Sequence, residues 1–501
     1  MFKTRTAGIL LPISSLAGEY GIGNFGKAAF DFIDFLKSTG FKYWQVLPLG
    51  PTGYGDSPYQ PFSSFAGSMY YIDLNNLCTQ GLLSKQELDK INFGLDKTHC
   101  DYGALYRECE PLLRKAYHSF LKQDNIDTCK TFLTQRFTQH IYQQLEMYFL
   151  FCSLKHHHNR FWFEEELNIK LKDKHTISQL QKKYKDDIDF YTFVQYLFFT
   201  QYFNLKKYAN QHGIKIIGDV PFYSSHDSCD CWVNAKNFSL DDTFKPVTVG
   251  GCPPDAFTDD GQYWGMPTYN WEYLQKTNYE YLLDRLEYNL LLYDVIRLDH
   301  FRGFESYWSI DATEKTARNG RWEKSGQYDF FSAIKKRLPN AVIIAEDLGV
   351  ITEEVQALKT FSAYPGMKVL QFAFSENGKN TYLPHNFTNT NSVMYTGTHD
   401  NATLAEWYSS ENEQTLTFAC QYLQANNKDD FIERCIRLVL ASTSILAIIP
   451  AQDFLHLDKF ARINTPGTTG NWTWRLTEED MAKLNTLQAH ISSLLDMYNR
   501  K

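Results

Sequence analysis

The chain has 501 residues, 43% of them hydrophobic and 22% charged, enough apolar material for a large globular core. Its formal net charge of −8 argues against nucleic acid or an anionic membrane as the main partner. The 10 cysteines are too sparse for a disulfide scaffold, and no run approaches the ~20 apolar residues of a transmembrane helix, so a cytoplasmic protein with reduced thiols is expected.

AGILLP (7–12) reads as a first strand, broken by Pro12 and two serines in a way that suits neither a signal peptide nor a span. FGKAAFDFIDFLKSTG (25–40) places Phe25, Ala29, Phe32, Ile33 and Leu36 on one helical face and ends at a glycine suited to a C-cap. YWQVLPL (43–49) is the second strand candidate. Residues 75–205 are expected to form a mainly helical insertion, from segments such as FYTFVQYLFFTQYFNLKKYA. The run His156 to His158 falls there and reads as solvated surface rather than a metal site. After the third candidate, IKIIGDVPF (214–222), residues 223–275 are rich in Gly, Pro, Asp and Trp and are expected to be a loop-rich wall over the site.

DVIRLDHF (294–301), AVIIAEDL (341–348), MKVLQFAF (367–374), SVMYTGTHD (392–400) and ILAIIPAQDFL (445–455) complete the set. Near-continuous apolar runs of this length suit strands covered on both faces of a parallel sheet. Eight of them, several separated by helical patterns, predict an α/β (β/α)8 TIM barrel with large insertions after strands two and three. No repeat or low-complexity linker divides the chain, so residues 1–501 read as one elaborated barrel.

Four of these runs end in a carboxylate: Asp219, Asp299, Glu346 and Asp400. Equivalent strand ends would bring them together at the C-terminal face, where barrel enzymes keep their chemistry. Retaining glycosyl transfer needs an ionised nucleophile and a protonated acid, with environments that push their pKa values apart. Arg297, two residues before Asp299, shares its face and favours an ionised carboxylate. Glu346 follows the apolar VIIA, where desolvation favours the neutral acid. Asp400, beside His399, would hold sugar hydroxyls and stabilise positive charge in the transition state. Tyr54, Tyr59, Trp264 and Trp271 read as loop aromatics able to lie on sugar rings.

Two other readings exist for these groups: a buried Arg297–Asp299 ion pair that only holds the barrel, and a divalent-metal site. The arginine beside the central aspartate and the aromatic loops disfavour the metal, and no phosphate-binding fingerprint or zinc spacing occurs, so no metal or cofactor is expected.

RLDHFRG (297–303), AEDLG (345–349) and GTHDN (397–401) resemble conserved regions of the α-amylase clan. More closely, the chain resembles the 4-alpha-glucanotransferases known as amylomaltases. That family also has GILLPISSL (8–16), PTGYGDSPYQ (51–60), GDVPFYSSHDSCDCW (218–232), PPDAFTDDGQYWG (253–265), GMKVLQFAF (366–374) and NTPGTTGNWTWR (464–475). The resemblance implies transfer of α-1,4-glucan segments from malto-oligosaccharides to another glucan or to glucose. It implies Asp299 as nucleophile, Glu346 as general acid/base and Asp400 as third carboxylate. It also implies that Arg297, His399 and Asp219 bind the donor sugar and that Tyr59, Gln262 and Trp264 shape the subsites. Met266, Ser68–Met69 and Cys252 depart from the usual pattern but leave the carboxylates intact.

A glucan hydrolase shares the chemistry as far as the glycosyl-enzyme and stays open as an alternative. A catalytically dead glucan-binding barrel is disfavoured by the three carboxylates, and a branching enzyme by the lack of an appended β-domain.

Overall fold

The computed structural model describes residues 4–53, 55–254, 259–375 and 377–501. Its strands are β1 (Thr6–Leu10), β2 (Tyr43–Gln45), β3 (Lys215–Val220), β4 (Thr248–Cys252), β5 (Gln262–Pro267) and β6 (Val295–Leu298). They continue with β7 (Ser306–Asp311), β8 (Arg321–Lys324), β9 (Ile343–Ala345), β10 (Gly366–Val369), β11 (Ser392–Tyr395) and β12 (Leu446–Pro450).

Strands β1, β2, β3, β6, β9, β10, β11 and β12 close into a parallel barrel, in that order around the ring. Each coincides with one of the eight apolar runs, β1 and β10 starting one residue earlier, so the (β/α)8 barrel is present as expected. The ladders are shorter than the runs because the chain leaves the sheet while still buried: Val46, Leu47 and Leu49 follow β2 yet stay in the core. The barrel wall is tightly closed. A Cβ built at Gly218 would lie 2.0 Å from the Tyr293 ring, so only glycine fits there.

The first amphipathic pattern folds as the helix Lys27–Thr39, capped by Gly40 at φ 99°. Its predicted face is buried, with Phe32, Ile33 and Leu36 at 0% exposure. Between β2 and β3 the chain forms helices that include Tyr102–Phe120, Gln139–His158 and the 27-residue Lys185–Gln211. The last of these packs by aromatic contacts, such as Phe198 on Phe25 at 5.1 Å and Phe199 on Phe137 at 4.7 Å. In the histidine run His156 and His157 are exposed, as expected of a surface, yet each of the three meets a carboxylate. His156, His157 and His158 pair with Glu110, Asp187 and Glu165 at 3.2, 2.6 and 2.7 Å, and His158 is only half-exposed.

The stretch 223–275, read as loops, instead contributes β4 and β5 to a four-stranded antiparallel sheet ordered β5-β4-β7-β8. Its glycines are points of close approach rather than loop markers. A Cβ at Gly250 would come 2.2 Å from Tyr223, and one at Gly251 would come 2.2 Å from the Gln262 carbonyl oxygen. Trp264 therefore stands in a strand and Trp271 opens the helix Trp271–Lys276, whereas Tyr54 lies outside the described residues. Among the described residues no helix is long and apolar enough to cross a membrane.

Candidate active site

The barrel delivers its chemistry from neighbouring strands. Asp219 sits inside β3, Asp299 directly follows β6, and Glu346 directly follows β9. Register fixes their neighbourhood: Asp219 is opposite Arg297, and Leu298 is opposite Ala345. Asp400 differs from the expected equivalence. It lies well past the end of β11, in a loop, and reaches the cluster because the chain turns back there.

Arg297 is the hub. Its Nη1 donates to Asp219 Oδ1 and Oδ2 at 2.8 and 2.7 Å and to Asp299 Oδ1 at 2.8 Å. Its side chain is 3% exposed and that of Asp219 is fully buried, whereas Asp299 is 28% exposed toward the cleft. Burial pushes the Asp219 carboxyl up, against the pull of Arg297. Tyr59 Oη also donates to Asp219 Oδ2, at 2.8 Å.

Glu346 is held by the backbone rather than by Arg297. Burial in the cleft pushes its carboxyl up to about 8, with the Asp299 charge adding to the effect and Arg297 opposing it. Two backbone N–H groups fix its orientation: His300 N donates to Oε2 and Leu348 N to Oε1, both at 2.8 Å. His300 is in the left-handed region at φ 50°, and this turn aims its N–H at the Glu346 carboxyl.

Asp400 is held down to about 2. Partial desolvation raises it, but His399 and Asn464 outweigh that. Asn464 Nδ2 donates to Oδ1 at 2.6 Å, and His399 Nε2 lies 3.2 Å from Oδ2. Arg462 Nη2 donates to the Asp400 carbonyl oxygen at 3.0 Å. The other ring nitrogen, Nδ1, is buried and has no hydrogen-bonding partner among the described residues. The Tyr59 ring stacks on His399 at 5.1 Å and 17° and also meets Trp472 at 5.6 Å.

On the opposite side Trp264 meets the His300 ring edge-on at 5.0 Å, and its Nε1 donates to Gln262 Oε1 at 3.1 Å. All nine residues expected at the site thus lie in one contact network, with Gln262 joined through Trp264 and His300. Residues without an expected role also take part: His300, Arg462, Asn464 and Trp472. Asn464 and Trp472 stand in NTPGTTGNWTWR, but a polar loop far along the chain carries no local signal of which carboxylate it will meet.

Residues 11–481 match the family model described as 4-alpha-glucanotransferase. The chain belongs to the 4-alpha-glucanotransferase family. A relative so named from Clostridium butyricum is 45% identical over 492 residues, covering 97% of this chain and 99% of the relative. One from Thermus thermophilus is 40% identical over 486 residues, covering 95% and 96%. Among solved structures, the amylomaltase from Streptococcus agalactiae in complex with acarbose superposes with a TM-score of 0.94 at 36% identity, covering 99% of both chains. The amylomaltase from Corynebacterium glutamicum, at 16% identity and TM-score 0.74, shares the fold. The enzyme is a 4-alpha-glucanotransferase of the amylomaltase type, and its substrates are glucans.

Proposed function

We propose that this 4-alpha-glucanotransferase moves α-1,4-glucan segments from malto-oligosaccharides to a second glucan or to glucose, with Asp299 as nucleophile and Glu346 as acid/base. The observation that carries this reading is the pair of carboxyls on adjacent strands, Asp299 hydrogen-bonded by Arg297 and Glu346 pushed up by burial. Arg297 occupies Asp299 Oδ1, which leaves Oδ2 for the anomeric carbon. As that bond forms, the glycosidic C–O bond breaks and Glu346 passes its proton to the departing oxygen. The glucan leaving group then departs. An acceptor hydroxyl gives its proton to Glu346, and its oxygen displaces Asp299 from the anomeric carbon with net retention.

Asp400, ionised at working pH, and His399 bind the donor sugar, and the Asp400 charge favours the oxocarbenium-like transition state. Asp219 and Tyr59 complete the donor side. Trp264, with Gln262 holding its indole, offers an apolar face on the other side of the scissile bond. No step calls for a metal or an organic cofactor. The chain's 10 cysteines are too sparse for a disulfide scaffold, which supports action in a reducing cytoplasm. Recovery of the protein in membrane or culture-fluid fractions would overturn that placement.

The test is maltotriose with isotopically labelled glucose. The expected outcome is a ladder of longer and shorter glucans with label at their reducing ends and a nearly constant total of reducing ends. Each transfer breaks one glycosidic bond and makes another, so the count is conserved. A steady rise in reducing ends at the pace of disproportionation would favour water as the acceptor, and ladders without label would exclude glucose.

A further inference from the structure

The loop that carries His399 and Asp400 runs from the end of β11 to the helix Leu404–Ser410. Both of its ends are tied to one side chain. Asp453, in the short helix Ala451–Phe454 that follows β12, accepts from Thr396 Oγ1 at 2.6 Å through Oδ2. Through Oδ1 it accepts from Leu404 N at 2.8 Å. Thr396, Leu404 and Asp453 are 0%, 1% and 2% exposed, so water does not compete for these bonds. Within the loop, Asn401 Oδ1 accepts from Thr398 N and Oγ1 at 2.9 and 2.8 Å, and Gln371 Nε2 donates to the Ala402 carbonyl at 2.7 Å.

We propose that Asp453 is a positioning residue for the transfer reaction: it fixes both ends of the 396–404 loop and so sets where His399 and Asp400 meet the donor sugar. The proposal rests on the reading that these two residues bind that sugar. Among the described residues, the hydrogen-bonding partners of the Asp453 carboxylate are those two loop ends. An acceptor-only group suits the task, because a carboxylate takes both donors at once. An asparagine offers one acceptor and turns N–H groups toward the other donor.

Burial pushes the Asp453 carboxyl up to about 6, so below that pH the clamp loses its acceptor-only form. The other titratable groups facing it are His456, whose Nδ1 pairs with Asp429 at 2.9 Å, and buried Cys435 on the helix Lys428–Ala441.

Four variants test this: Asp453→Asn, Asp453→Ala, Thr396→Val and Asp400→Asn. With maltotriose, Asp453→Asn and Thr396→Val are expected to lower kcat/KM about tenfold and Asp453→Ala about a hundredfold, the scale of a misplaced catalytic constellation. Asp453→Asn should also remove the part of the acid limb that titrates near pH 6. In a Glu346→Gln background, where maltotriose is not turned over, calorimetry should show weaker maltotriose binding on adding Asp453→Asn, and no further loss once Asp400→Asn is present. Thr396→Val keeps the test open if Asp453→Ala does not fold. Wild-type kcat/KM and an unchanged acid limb in both Asp453→Asn and Thr396→Val, with only Tm lowered, would overturn the proposal. An additive loss of binding on top of Asp400→Asn would overturn it too. Full activity in Asp400→Asn would instead sink the reading of the donor site.

Discussion

At the scale of single residues, the proposed roles of the carboxyls are open to direct test. Asp299→Asn and Glu346→Gln should each cost more than about a thousandfold in turnover with the fold retained, because each removes a group acting in the chemical step. Turnover above a tenth of wild type, with an unaltered circular dichroism spectrum, would refute the assignment for that residue. The elevated Glu346 pKa also has a definite sign. The acid is protonated at neutral pH and loses its proton as pH rises through about 8, so kcat/KM should fall on the alkaline side near that value. Burial is the main cause and the Asp299 charge the second raising one, so Asp299→Asn should lower the Glu346 midpoint in a carbon-13 NMR titration. A midpoint that stayed put would mean the two carboxyls do not interact. Tyr59→Phe isolates one hydrogen bond while sparing the ring. Loss of a donor to the buried Asp219 should cost about 1.5 to 3 kcal/mol in kcat/KM, and an unchanged constant would make that hydroxyl structural only.

At the scale of elements, strand β3 both closes the barrel and carries Asp219. The absence of a side chain at Gly218 lets Tyr293 pack against the strand one residue before the catalytic cluster. Gly218→Ala would force the ring or the strand aside. Overpacking of this kind costs about 1 to 3 kcal/mol, so thermal unfolding should shift down, and kcat/KM should drop as Asp219 moves off Arg297. A variant with wild-type Tm would show that the wall yields freely. The antiparallel sheet of β4, β5, β7 and β8 teaches a related lesson. Its Gly-rich strands read as loops because glycine is the usual turn marker, whereas here it admits Tyr223 and a neighbouring carbonyl.

For the whole molecule, the barrel is fastened near its chain ends by a buried cation that has no carboxylate partner among the described residues. Arg500, at 0% exposure, donates to the carbonyls of Leu440, Thr6, Ser444 and Ser442 at 2.9, 3.1, 2.8 and 2.8 Å. Burial drives its pKa down to about 9, yet the carbonyls at the end of the helix Lys428–Ala441 suit a cation. Arg500→Ala would leave several buried carbonyls unpaired at about 1 to 3 kcal/mol each, so a loss of at least ~3 kcal/mol is expected in denaturant unfolding. A loss below ~1 kcal/mol would show that water replaces the guanidinium at no cost.

The sequence by itself determined the barrel and singled out the carboxylates proposed to react. Eight apolar runs suit strands covered on both faces of a parallel sheet, and a charged group at the end of such a run stands out locally, as Asp299 and Glu346 do. The Arg297–Asp299 relation was also legible, because side chains two apart on a strand share a face. Tertiary structure decided what depends on pairing between distant segments: Asn464 and Arg462 on Asp400, Asp453 under its loop, and the His300 N–H on Glu346. None of these has a local signature, since a polar residue in a loop reads the same whether it meets water or a carboxylate. The protonation states follow from the same cause. Desolvation of Glu346 is a property of everything packed around it, and that enclosure exists only once the barrel has closed.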